Sequence, residues 1–115
     1  MPHCIIEHSA STADITTDSA LVSTVHQAAI DALLFEPGHI KTRSIAYPTF
    51  QLGDNHSHFI HVTVRLHRGR TEEQKKRLTN LIVERLCITL PLADITITAE
   101  TVEIDTPAYA KATLV

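Results

Sequence analysis

Cysteine is scarce. Two residues, Cys4 and Cys87, in a chain of 115 do not make a disulfide framework, and the sequence alone does not pair them. Positive charge is scarce as well. Ten Lys and Arg against thirteen Asp and Glu leave a net charge of −3, which argues against a nucleic-acid partner, because such proteins present a strongly basic face. No stretch approaches the ~20 consecutive apolar residues of a membrane-spanning helix, so no membrane partner is expected. The N-terminus lacks a basic segment followed by an apolar run, so no secretory signal is expected and a cytoplasmic location is. What is present is an apolar fraction of 43%, enough for one domain over residues 1–115 with a modest core that an oligomer would supplement.

The chain reads twice. Pro2 to His8 suits a short strand opening on a proline, which costs no ladder bond at a strand's first residue. A polar turn region runs from Ser9 to Asp18, with Thr17 or Asp18 available as a cap. From Ser19 to Leu34 the residues Leu21, Val25, Ala28, Ala29, Ala32 and Leu33 recur at helical spacing, and Pro37-Gly38 ends the helix. Ile40 to Tyr47 reads as a second strand, with Lys41, Arg43, Ile45 and Tyr47 on one face. The pattern then restarts. Phe59 to His67 alternates, with Ile60, Val62, Val64 and Leu66 on the apolar side. Thr71 to Gln74 forms a capping box. Leu78, Leu81, Ile82 and Leu86 supply a buried stripe, Pro91 stops the helix, and Ile95 to Ile104 is a last strand. The tail from Asp105 is expected to be irregular. Two β-α-β units, about residues 2–50 and 58–105, each with parallel strands, predict an α+β fold: a four-stranded sheet with both helices on one face. The other face, which carries Phe59, is expected to meet partner subunits.

Particular segments carry a family resemblance. Met1-Pro2-His3, Ile40-Lys41-Thr42-Arg43, Phe59-x-His61-x-Thr63 and Gly69-Arg70-Thr71 before an acidic helix start resemble 5-carboxymethyl-2-hydroxymuconate isomerase, of the tautomerase superfamily. The second half, Arg70 through Glu103, also resembles 4-oxalocrotonate tautomerase. The resemblance implies a tautomerase fold of the macrophage migration inhibitory factor type. It also implies a homotrimer with active sites near subunit boundaries, a small carboxylic acid substrate of aromatic compound catabolism, and no cofactor or metal. It points to Pro2 as the catalytic base after removal of Met1, and to Lys41, Arg43, Arg70 and Phe50 as substrate-binding residues. Where the family carries an arginine pair this chain has Lys41 and then Arg43, and lysine lacks the bidentate fork that arginine offers a carboxylate.

The chemistry is coherent with those residue types. A proline within a chain has no basic nitrogen, whereas a terminal proline is a secondary amine. Free α-amino groups titrate near ~8, and burial and neighbouring cations lower that value. Such a base takes a proton from an unsaturated 2-hydroxy or 2-keto acid and returns it elsewhere on the conjugated system. Cations then meet the dienolate oxygen and the carboxylates. Other residues invite other functions. His56, His58 and His61, with His3 and His8, suggest a metal, but His58 and His61 point to opposite faces of a regular strand and no further ligand cluster has zinc spacing. His61 is expected to hydrogen-bond at a subunit interface. Cys4 has no His and acid beside it and reads as a small buried hydrophobe. Two competing functions stand beside the isomerase: a hydratase or dehalogenase using the same proline, and a non-catalytic trimeric assembly module, which a retained Met1 would favour.

Overall fold

The computed structural model describes residues 1–115. In chain order the elements are β1 (His3–Ser9), a 3-10 turn (Ala10–Asp14), α1 (Asp18–Asp31), a 3-10 turn (Pro37–His39) and β2 (Lys41–Tyr47). There follow β3 (His58–Leu66), α2 (Glu72–Thr89), β4 (Ile95–Glu103) and a last 3-10 turn (Thr106–Ala108). The sheet order is β2-β1-β3-β4. β1 and β2 are parallel, β3 and β4 are parallel, and β1 meets β3 antiparallel at the centre. This is the expected duplicated β-α-β arrangement. No helix is long and apolar enough to cross a membrane.

Alternation in the strands builds one core. Cys4 and Ile6 of β1 and Ile60, Val62 and Val64 of β3 share a cluster with Leu21, Val25, Ala28 and Ala29 of α1 and Leu78, Ile82 and Leu86 of α2. Both helices therefore cover the same sheet face. Truncating a fully buried member such as Leu86 to alanine is expected to cost about 2–5 kcal/mol. The other sheet face carries His3, Glu7, Arg43, Ile45, Phe59 and His61.

Three details differ from the sequence expectation or complete it. Thr17, not Asp18, caps α1, accepting from the Ala20 N–H at 3.1 Å. The expected capping box at Thr71 and Gln74 is complete, with both reciprocal bonds made. Leu33, expected in the core stripe, is 82% exposed. α1 ends at Asp31, and Leu33 adopts a left-handed φ of 59° that turns the chain out of the helix and its side chain into solvent. The polar turn after β1 is itself built in. Thr12 is buried, donates to the Ser9 carbonyl at 2.9 Å, and accepts from His8 Nδ1 at 2.8 Å.

The end of α1 is held by arginines from the second repeat. Arg77 donates to the Ala32 carbonyl at 2.7 Å, and Arg85 pairs with Asp31 at 2.8 Å. Helix C-termini leave carbonyls without intrahelical donors; Arg77 supplies one, and Arg85 holds the last helical residue through its carboxylate.

Candidate active site

Pro2 is buried at the start of β1. Its carbonyl accepts the Lys41 N–H at 3.0 Å, which aligns the N-terminus with the first residue of β2. The Met1 amine donates to the His39 carbonyl at 3.0 Å, and Lys41 Nζ reaches the same oxygen at 3.4 Å. The amine's pKa is lowered, first by burial and then by the positive charges of Lys41, Lys111 and Arg70. Three cations from three separated segments thus face the chain terminus.

Arg70 arrives there because Gly69 has a φ of 121°. A side chain at that backbone conformation is strained, so glycine permits the turn from β3 into α2. The guanidinium donates to the Leu34 carbonyl at 2.8 Å and sits 5.1 Å from the Phe35 ring centroid. It borders an open cleft of about 420 Å³ lined by Leu33, Leu34, Arg68, Gly69 and Gln74. Arg43 lies on the outer sheet face, with one guanidinium nitrogen 3.0 Å from His3 Nδ1.

The structure therefore gathers Pro2, Lys41 and Arg70 at one end of the sheet, with Arg43 one side-chain repeat further along β2. Phe50 is not with them. It follows the end of β2, where Tyr47 pairs with Ser9, whereas Lys41 pairs with His3 at the opposite end. Within one chain Phe50 packs edge-on against Phe59, with centroids 5.8 Å apart. Lys111, and Tyr109 whose hydroxyl lies 3.2 Å from His3 Nε2, had little signal in the sequence, because they lie in a tail without periodicity. The only local cue was an aromatic and a cation in an otherwise small-residue segment.

The histidines engage separate partners. His56 bonds Asp94 and lies 3.8 Å from Asp54. His58 meets Ser11 at 2.8 Å, and His61 meets Thr98 and Glu100, each at 2.7 Å. Cys4 is fully buried, and burial pushes its thiol up to about 11, against the weaker opposing pull of Thr42 and Arg43. It is packed as a hydrophobe, as expected; a reactive thiol needs a lowered value.

Residues 2–112 match the family model described as 5-carboxymethyl-2-hydroxymuconate isomerase. The chain belongs to that family. It is an isomerase of the tautomerase type. No curated protein matches it in sequence. Among solved structures it is similar to a 5-carboxymethyl-2-hydroxymuconate delta-isomerase, at TM-score 0.81 and 17% identity over 98% of this chain and 89% of that one. It is similar also to a 5-carboxymethyl-2-hydroxymuconate isomerase from Deinococcus radiodurans R1, at TM-score 0.76 and 17% identity over 98% and 90% of the two chains. A fused 4-OT described as a symmetric trimer gives TM-score 0.67 and 16% identity over 88% and 85%. At these identities the structural likeness speaks for the fold, and the family match carries the isomerase assignment.

Proposed function

We propose that this isomerase uses Pro2, freed by removal of Met1, as the general base on an unsaturated 2-hydroxy or 2-keto (di)carboxylic acid such as 5-carboxymethyl-2-hydroxymuconate. The observation that supports this most is Pro2 buried at the start of β1 and bonded through its carbonyl to the Lys41 N–H, with the positive charges of Lys41, Lys111 and Arg70 lowering the pKa of the partly exposed terminal amine. While Met1 remains, the Pro2 nitrogen is an amide and has no basic lone pair. A small second residue normally permits removal of the methionine. The freed secondary amine then sits one residue inside the position of the Met1 amine, among the same cations, and is held unprotonated at lower pH than a free amine.

In this mechanism the Pro2 nitrogen takes the substrate's proton and becomes an ammonium. Negative charge spreads over a dienolate, whose oxygen and carboxylates are met by Arg70, Arg43 and Lys41. The same ammonium returns the proton to a carbon of the conjugated system, so base and acid are one group and no cofactor enters. Phe50 is remote from Pro2 within one chain, so a role for it at the site requires a neighbouring copy to supply it, as a homotrimer with sites at subunit boundaries would.

The test compares three forms on phenylenolpyruvate, with intact mass spectrometry defining each terminus. The processed enzyme should be fastest. Pro2→Ala, which leaves a primary amine, should be slower but active. A form forced to keep Met1 should be slowest. Equal rates for the processed and Met1-retaining forms would eliminate the terminal base.

A further inference from the structure

His3 and Tyr109 lie outside the residues assigned above, yet they join Arg43 in one chain of contacts. An Arg43 guanidinium nitrogen is 3.0 Å from His3 Nδ1, and His3 Nε2 is 3.2 Å from the Tyr109 hydroxyl. A guanidinium has donors only and keeps its charge in proteins. Arg43 must therefore donate, so Nδ1 carries the lone pair. The neutral ring then bears its proton on Nε2 and donates it to the Tyr109 oxygen. One contact dictates the other.

Tyr109 is itself anchored. Its N–H donates to the Thr106 carbonyl at 3.2 Å. Its ring stands edge-on to His67 at 5.2 Å and to His3 at 6.3 Å. His67 Nδ1 in turn lies 2.9 Å from the Thr106 hydroxyl. The C-terminal segment is thus fastened over the end of the sheet where Pro2 begins.

We propose that His3 and Tyr109 are positioning residues: neutral His3, oriented by Tyr109, aims Arg43 at the substrate carboxylate and makes the C-terminal segment part of the site. This rests on the reading of Arg43 as a substrate ligand. The groups facing His3 are Arg43 and Lys41 from β2, Arg65 from β3, the terminal amine, and Tyr109. Burial, then Arg43, Lys41, the amine and Arg65, lower the imidazole pKa, which keeps the ring neutral through the neutral range. As pH falls and Nδ1 gains a proton, the acceptor is lost, two cations are left side by side, and Arg43 is released. Removing Met1 moves the amine by one residue and leaves the sign unchanged.

Nitrogen-15 NMR of histidine-labelled wild type should show His3 with a proton on Nε2 and none on Nδ1. A dominant Nδ1–H tautomer overturns the proposal whatever the variants do. In kinetics on phenylenolpyruvate, His3→Leu should raise KM about tenfold and leave kcat within about twofold, because it loosens binding of ground state and transition state alike. His3→Asn, whose side-chain oxygen restores the acceptor for Arg43, should recover most of that loss. Tyr109→Phe keeps the ring and should raise KM less than His3→Leu. Wild-type KM should climb as pH falls through the His3 titration, and that limb should vanish in His3→Asn. An Asn variant no better than Leu, or a KM limb unchanged in it, overturns the proposal. Arg43→Ala separates the two levels. If it raises KM and His3→Leu does not, positioning alone has failed. If Arg43→Ala leaves the kinetics unchanged, the reading of Arg43 as a ligand has failed and positioning falls with it.

Discussion

The Arg70 guanidinium is bonded to the Leu34 carbonyl at 2.8 Å, so the start of the second helix is tied to the loop that closes the first. One of its five donors is used there. The others remain for a ligand, and the guanidinium carbon lies 5.1 Å from the Phe35 ring centroid, within cation–π range. Arg70→Ala should therefore lower kcat/KM for an acidic substrate by about 1.5–3 kcal/mol, the range of a hydrogen bond to a charged group. Arg70→Lys should recover only part, since an ammonium keeps the charge and loses the fork. Steady-state kinetics with both variants checks this, and an unchanged kcat/KM in Arg70→Ala would remove the residue from the site.

Assembly can be tested at the outer sheet face. Ile45 is 48% exposed there and lies opposite Glu7 in the β1–β2 pairing. Ile45→Lys places an ammonium beside that carboxylate, which the isolated chain tolerates. At an interface the same charge must be desolvated, at a cost of several kcal/mol. Wild type is expected to be a trimer by light scattering at micromolar concentration, and Ile45→Lys to shift it toward monomer with secondary structure retained. A monomeric wild type would defeat the proposed assembly.

The architecture was legible because both repeats keep a period: two residues in the strands and near 3.6 in α1 and α2. Leu33 was misplaced because periodicity does not register where a left-handed residue ends a helix. Pro2, Lys41 and Arg70 were expected together through a family resemblance carried by the order of several segments rather than by any local motif, and the fold places them at one end of the sheet. Phe50 shows the limit, because one chain leaves it at the far end of the sheet. Tyr109 was invisible because its placement is dictated by docking on His3 and His67, a tertiary contact with no trace in local pattern, and Lys111 follows it in the same tail.

The cluster at the opposite end predicts a pH dependence of stability. Asp94 bonds His56, which raises the imidazole pKa. The same contact lowers the pKa of Asp94, and the His56 N–H chiefly lowers that of Asp54. A raised histidine contributes stability that is complete below its unfolded pKa and is lost as pH rises through the folded value. Depressed aspartates contribute stability that is complete above their unfolded pKa and is lost as pH falls through the folded values. The cluster's contribution is therefore full between about pH 4 and 6.5, the ordinary carboxylate and imidazole ranges, and declines on both sides. Thermal unfolding at fixed protein concentration should show a decline above neutrality that flattens in His56→Asn. The groups are solvent-exposed, so the shift should be small. An alkaline limb of the same size in the variant would assign it to another group.

The sharpest prediction concerns the amine. If the Pro2 nitrogen is the base, kcat/KM must rise with pH as it deprotonates, because the profile of kcat/KM reports the free enzyme's essential groups. Lys41, Lys111 and Arg70 push that titration down. Of the three, Lys111 is outside the proposed chemistry and bonded to none of it, so it is the cleanest probe of field alone. Lys111→Met removes one positive charge facing the terminus and should move the midpoint of the rising limb upward. The shift should shrink at high salt, where interactions between exposed charges are screened. A matched Lys76→Met variant, on the outer side of α2, should leave the midpoint in place. Were the rising limb due to a group elsewhere, Lys111→Met and Lys76→Met would behave alike, and the terminal amine would lose its claim to that titration.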